Sequence, residues 1–253
     1  MSKTKRVAWV TGGGTGIGEA CVEMLAARGW SVAVTSRRAE NVDAAIKNAI
    51  AKGGDAARLL AVPLDVSDAA AVEAAAKKIT DTFGRIDLLV NSAGINVRAR
   101  NWPDVTNEGW DQVIGINLDG LMYCMRAVLP VMKAQKEGTI INVSSWAGKF
   151  VSPMTGPAYV ASKHAVVALT ESFNMENAKH NLRACCVCPG EVATPILKSR
   201  PVVPTAEEQA RMLQSEDVAG IIVYVAEAPQ HVCVNEILIS PTHNRGYIAH
   251  TGL

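Results

Sequence analysis

Tyr159 and Lys163 lie four residues apart in the stretch PAYVASKH, and a phenol with an ammonium beside it can move protons. At that spacing the two side chains share one face of a helix, a turn apart. Two amphipathic side chains on a helix surface fit the same pattern, and the spacing alone favours that plainer reading. A second chemical element is the run Thr11-Gly-Gly-Gly-Thr-Gly-Ile-Gly18. Gly12 can turn where a side chain would clash, Gly16 lets the backbone approach a ligand, and Gly18 allows close packing of helix on strand. A helix starting there offers N–H groups and a partial positive charge to a pyrophosphate. The spacing is not G-x-G-x-x-G, so that fingerprint is not met.

These residues need a scaffold, and the sequence supplies one. Strand-like runs occur at RVAWVT, SVAVTS, LLAVPLD, IDLLVNS, GTIINVSS, RACCVCP and NEILIS. Helix-like segments lie between most of them: 17–28 and 68–83 carry apolar stripes at helical period, and 107–135 and 157–180 are long enough for extended helices. Thr205 and Glu208 have capping-box spacing, which predicts a short helix there. Most strand runs are apolar throughout, as expected when helices cover both faces of a parallel sheet. The expectation is an α/β fold: a doubly wound Rossmann-type domain with a mostly parallel, seven-stranded sheet, one domain over residues 1–253. In such a sheet ligands sit beyond the carboxyl ends of the strands. There the chain places TGGGTGIG, SRR, DVS, NSAG, SSWAG and PGEVATP in succession, six strand ends of small or polar residues facing one crevice.

The second strand ends in Thr35-Ser36-Arg37-Arg38. No acid is available there for a ribose hydroxyl, and Arg37 and Arg38 suit a 2′-phosphate through charge-assisted, fork-like bonds. That points to NADP(H), with NAD(H) as the alternative, against a plainer reading in which the arginines only solvate a loop.

Bulk properties exclude other classes. The 253 residues are 49% hydrophobic and 19% charged with net charge +1, which speaks against a nucleic-acid surface. The start runs into a strand without a signal-like apolar core, and no apolar run reaches the roughly 18 residues of a membrane span. A cytoplasmic location is expected. Cys185 and Cys188 have C-x-x-C spacing, yet in a strand they face opposite sides, so they read as core residues. The five histidines show no metal-ligand spacing, and no metal is expected.

Taken together, TGGGTGIG at 11–18, Asp65-Val66, NSAG at 91–94, Asn117, INVSS ending at Ser145, Y-x-x-x-K at 159–163 and PGEVATP at 189–195 resemble the short-chain dehydrogenases/reductases over nearly the whole chain. The resemblance implies hydride transfer with a nicotinamide cofactor. Tyr159 would be the proton donor or acceptor, Ser145 would hold the substrate oxygen, Lys163 would also grip the nicotinamide ribose, and Asn117 would belong to a proton relay. Ser144 is the rival to Ser145. An ammonium about 4 Å from the phenol, at an effective dielectric near 20, would favour tyrosinate by about 4 kcal/mol. That amounts to a fall of up to about three pKa units, less the cost of desolvation. On the binding side Gly12, Gly16, Ile17 and Gly18 would surround the pyrophosphate, and Asp65 and Val66 would meet the adenine. Asn91, Ser92, Ala93 and Gly94 would border the adenosine ribose. Pro189 and Gly190 would join the cofactor site, with Val192 and Thr194 on the carboxamide. Asp65 equally suits a helix-capping carboxylate.

The chain departs from the family pattern in places. One extra residue falls between Ser145 and Tyr159, around MTGP. The ending NEILISPTHNRGYIAHTGL is closer to relatives acting on small hydroxy acids and similar alcohols than to 3-oxoacyl-carrier-protein reductases, which remain the alternative. Lys198 and Arg200, in the loop bordering the substrate, either attract an anion or are merely solvated. The expectation is an oxidoreductase interconverting a carbonyl and an alcohol, acting on a small molecule and assembling as a homodimer or homotetramer through 107–135 and 157–180. A catalytically silent NADP-binding sensor and a Rossmann-like methyltransferase are the competing readings.

Overall fold

A computed structural model describes residues 6–251. Strands β1 (Val7–Thr11), β2 (Ser31–Thr35), β3 (Leu59–Ala61), β4 (Leu88–Asn91), β5 (Gly138–Val143), β6 (Leu182–Pro189) and β7 (Glu236–Ile239) form one sheet. Its order is β3-β2-β1-β4-β5-β6-β7 and every neighbouring pair is parallel. Each expected run supplies a strand. LLAVPLD supplies the shortest, because Pro63 has no N–H to give the ladder, although Val62 and Leu64 still donate to the Val34 and Ser36 carbonyls.

Alternation along the buried strands divides their side chains between two cores. Ala8 and Val10 face one, with Leu25, Val42 and Ile222; Val7 and Trp9 face the other, with Ile79, Met132 and Phe173. The first core lies under α1 (Gly16–Ala27), α2 (Ala39–Ala51) and α8 (Ser215–Glu227). The second lies under α3 (Ala69–Phe83), α5 (Gly120–Gln135) and α6 (Pro157–Asn177). Cys185 faces the first core and Cys186 and Cys188 the second, so the C-x-x-C pair is split by the sheet.

Helix ends follow local chemistry. The Asp68 carboxylate accepts from the Ala70 and Ala71 N–H groups and starts α3, which Gly84 ends in a left-handed turn. Thr205 and Glu208 form the expected capping box of α7 (Ala206–Ala210). Where one helix was expected over 107–135, three pieces follow one another: α4 (Asn107–Ile114), a π-helical stretch Gly115–Asp119, and α5. By length and composition this 29-residue run could cross a membrane, contrary to the sequence expectation. In the fold its inward residues, Leu121, Cys124, Val128 and Met132 among them, pack on the sheet. The last element among the described residues is α9 (Arg245–Thr251).

Candidate active site

The chain leaves β1 towards one side of the sheet and β4 towards the other, and a cleft of about 760 Å³ opens beyond their carboxyl ends. On the side of β1 it is floored by the glycine turn. Gly12 has φ +65°, and a Cβ on it would strike the Ala93 N–H at 2.6 Å. A Cβ on Gly18 would lie 2.2 Å from the Gly12 carbonyl, so α1 closes on the turn only because both positions lack side chains. The Gly13 N–H donates to Thr35 at 2.9 Å and ties the turn to β2. The Thr15 side chain makes no capping bond, which leaves the N-terminal amides of α1 for the cleft.

Most of the expected binding residues line this cleft: Gly12, Gly16 and Ile17; Ser36, Arg37 and Arg38; Asp65 and Val66; Ser92, Ala93 and Gly94; Pro189, Gly190, Val192 and Thr194. Two do not. Gly18 lies beneath the turn as packing. Asn91, expected at the ribose, is buried, and its amide donates to Asn142 at 2.9 Å, tying β4 to β5. Its carbonyl oxygen has no partner among the described residues. Asp65 does not cap α3; it accepts from the Ser67 N–H and hydroxyl in the preceding turn. Burial pushes its carboxyl up, but those bonds and Arg37 hold it below the usual carboxylate range. Asn41, which the sequence reading passed over, joins Arg37 and Arg38 on the wall.

Across the cleft, α6 presents Tyr159 and Lys163 one turn apart, with the Lys163 ammonium 5.6 Å from the centre of the phenol ring. Lys163 is 4% exposed and donates to the Val143 carbonyl at 2.9 Å. Burial lowers its pKa to about 8, with Cys186 and Cys188 acting the other way. Ser145 lies in the cleft beside Tyr159, its hydroxyl accepting from the Ala147 N–H at 3.1 Å. Ser144 instead turns inward and donates to the Lys163 carbonyl at 2.8 Å, which distinguishes the two serines.

The phenol corrects the sequence argument. Burial raises the Tyr159 pKa above its ordinary value, while the nearby Ser145 hydroxyl and the Arg200 and Arg100 guanidiniums pull it down. Lys163 is not among the groups that lower it. Helical spacing placed the ammonium correctly but carried no information on how much water both groups lose.

Asn117 sits in the π-helical stretch, fully buried behind the cleft wall. The extra residue per turn aims its amide at the loop after β4: it accepts from the Ile95 N–H at 2.8 Å and donates to the Ile95 carbonyl at 3.0 Å. It also donates to Ser162, which donates in turn to the Tyr159 carbonyl. Lys163 Nζ and Asn117 Oδ1 both come within 3.6 Å of where a Gly94 side chain would begin. One wall therefore holds Asn117, Ser145, Tyr159 and Lys163 together.

The far end of the cleft is charged. Arg100, Glu191, Arg200 and Arg245 line it, and of these the sequence reading had only Arg200. Lys198 is exposed and not part of the lining.

Among the described residues, no group of three His, Cys, Asp or Glu side chains has the arrangement of a metal site. The cradle does fit a nicotinamide dinucleotide: it has a side-chain-free turn at the start of a helix, two arginines at the end of β2, and an amine beside the proton-transfer wall.

A family model for short chain dehydrogenases matches residues 6–202. An uncharacterized oxidoreductase of Staphylococcus haemolyticus is 32% identical over 236 residues, 93% of this chain and 97% of that one. The crystal structure of levodione reductase superposes with a TM-score of 0.87 at 29% identity, covering 94% of this chain and 96% of the other. An alcohol dehydrogenase from the archaeon Thermococcus sibiricus, complexed with 5-hydroxy-NADP, gives a TM-score of 0.84 at 27% identity, covering 95% and 98%.

Proposed function

The chain belongs to the short chain dehydrogenase family of oxidoreductases, and from that premise we propose that it interconverts a carbonyl and an alcohol on a small molecule using NADP(H). The observation that carries this reading is the convergence of Ser145, Tyr159 and Lys163 on one wall, facing the glycine turn across a single cleft. Ser145 and Tyr159 hydrogen-bond the substrate oxygen and align its carbon. Tyr159, a protonated phenol near neutrality, gives its proton to that oxygen as a carbonyl is reduced and takes it back as an alcohol is oxidised. Ser145, Arg100 and Arg200 favour the anionic form that the reaction passes through. Lys163 holds the nicotinamide ribose, and Asn117 keeps the Ile95 loop in place. When bound, the nicotinamide supplies or accepts the hydride.

NADP(H) over NAD(H) is supported by Arg37 and Arg38 at a strand end that carries no acid, and by the NADP derivative held by the archaeal relative. The same reading takes the chain as one catalytic domain in the cytoplasm, with nicotinamide dinucleotide on the residues of the glycine turn, β2, β4 and β6 ends.

The test is a spectrophotometric screen of aldehydes, ketones and oxo acids with NADPH and NADH in parallel. Turnover is expected with NADPH in excess of NADH. Tyr159→Phe should lose at least about 100-fold in kcat with an unchanged melting temperature. Full turnover in that variant would reject the proton-transfer role, and equal use of both nucleotides would reject the NADP preference.

A further inference from the structure

Among the charged side chains of the substrate end, Arg100 differs from the rest. It is 5% exposed, yet among the described residues no carboxylate pairs with it. Its Nε donates to the Val97 carbonyl at 2.8 Å, and its Nη2 donates to the carbonyl and hydroxyl of Ser199. Nη1 donates to nothing among the described residues. By contrast, Arg200 and Arg245 share the Glu191 carboxylate, and Arg245 also reaches Glu208. Three guanidiniums thus face two carboxylates, and the surplus charge is the one on Arg100. Guanidiniums removed from water are normally paired, because a lone buried charge is costly.

Nor is Arg100 a swinging surface cation like its neighbour Arg98, which is exposed. Its backbone is pinned by the segment that leads into α6. Gly156, at φ +73°, packs so closely on the Arg100 carbonyl that a Cβ there would lie 2.3 Å from it. Asn96 donates to the Thr155 carbonyl at 2.9 Å and holds the same two loops together. The side chain lines the cleft with Tyr159, and their charges influence one another.

We propose that Arg100 binds an acid group of the substrate, so that the molecule whose carbonyl or hydroxyl meets Tyr159 is a short carboxylate. The proposal rests on the carbonyl–alcohol chemistry above and adds the substrate class. One guanidinium edge is committed to Ser199 and Val97, and Nη1 faces the carboxylate. Arg200, held by Glu191, extends the positive wall without being the principal partner.

The test compares 2-oxobutanoate and 3-oxobutanoate with their uncharged methyl esters, using NADPH and the wild type, Arg100→Gln and Arg100→Lys. The wild type should favour at least one acid over its ester by about 10-fold or more in kcat/KM. Arg100→Gln should lose about 30-fold more in kcat/KM on the acid than on the ester, the range expected for one charge-assisted pair, while the ester's own smaller loss reports the pull of Arg100 on Tyr159. Arg100→Lys should recover part of the preference. Equal losses on acid and ester would make Arg100 a loop clamp only and overturn the proposal, as would a wild type indifferent to the acid group. Calorimetric binding of butanoate against butanamide, with NADP+ present, separates this from the broader reading. If no carbonyl compound is turned over, the oxidoreductase assignment to this class fails, while tighter binding of butanoate by the wild type still supports the anion site. Equal binding of the two overturns it. That comparison on the wild type also decides the matter if Arg100→Gln does not fold.

Discussion

Lys163 is held in a position that costs the fold stability, because burial lowers its pKa from 10.5 to about 8. Below pH 8 the ammonium is charged in both folded and unfolded chains, and the folded chain bears the full penalty, about 3 kcal/mol at about 1.36 kcal/mol per unit. Between pH 8 and 10.5 the folded chain releases the proton first, so the penalty fades as pH rises. Replacing the lysine removes it but leaves the Val143 carbonyl without its donor, at about 1 kcal/mol. Lys163→Met, without added nucleotide, should therefore be about 2 kcal/mol more stable than the wild type at pH 7, with the gap closing as pH rises and reversing by about pH 10.5, where only the lost Val143 bond remains. Denaturant titrations across that range check this, and a variant less stable than the wild type at pH 7 would contradict it. Activity should fall in the same variant. At this scale the sequence showed the Tyr159–Lys163 pair because helical spacing is a local property. It did not show Arg100, since nothing in NVRAR separates that arginine from Arg98; only packing against residues 156 and 199 does.

Two elements meet the cleft through geometry that a side chain would spoil. The π-helical stretch between α4 and α5 turns Asn117 onto Ile95, and the start of α1 rests directly on the Gly12 carbonyl. A methyl at Gly18 has no space short of moving the turn. Gly18→Ala should cost about 1–3 kcal/mol of stability, as overpacking generally does, and raise the KM for NADPH more than it lowers kcat. Chemical denaturation and steady-state kinetics measure the two effects; an unchanged nucleotide KM would mean that the turn does not hold the cofactor. Strand runs and glycines were readable because apolar continuity and missing side chains are written residue by residue. The π-helical insertion was not, because GINLD carries no composition that separates it from ordinary helix. Asn91 misled for a related reason: its place in NSAG suggested the cleft, whereas the register of β4 on β5 points it at Asn142.

The long run Asn107–Gln135 leaves an imbalance at the scale of the whole molecule. Within its most apolar window only 39% of the residues are buried, and Ile116, Leu118, Leu129 and Val131 are only partly covered by the core they pack on. The neighbouring α6 carries Ala161, Ala168 and Met175 on its exposed side, Met175 at 81% exposure. Small residues let helices approach closely, and apolar surface of this extent on a water-facing molecule marks an interaction site. A twofold axis would set each such face against its own copy, which is the isologous arrangement most homo-oligomers use. Light scattering should give two or four chain masses. Ala168→Arg, which puts a charge into that contact but leaves the cleft untouched, should shift the mass towards one chain. If the wild type already runs as a single chain, the uncovered helices have another partner and the homo-oligomer expectation fails. If Ala168→Arg keeps the wild-type mass, the contact lies elsewhere on the molecule.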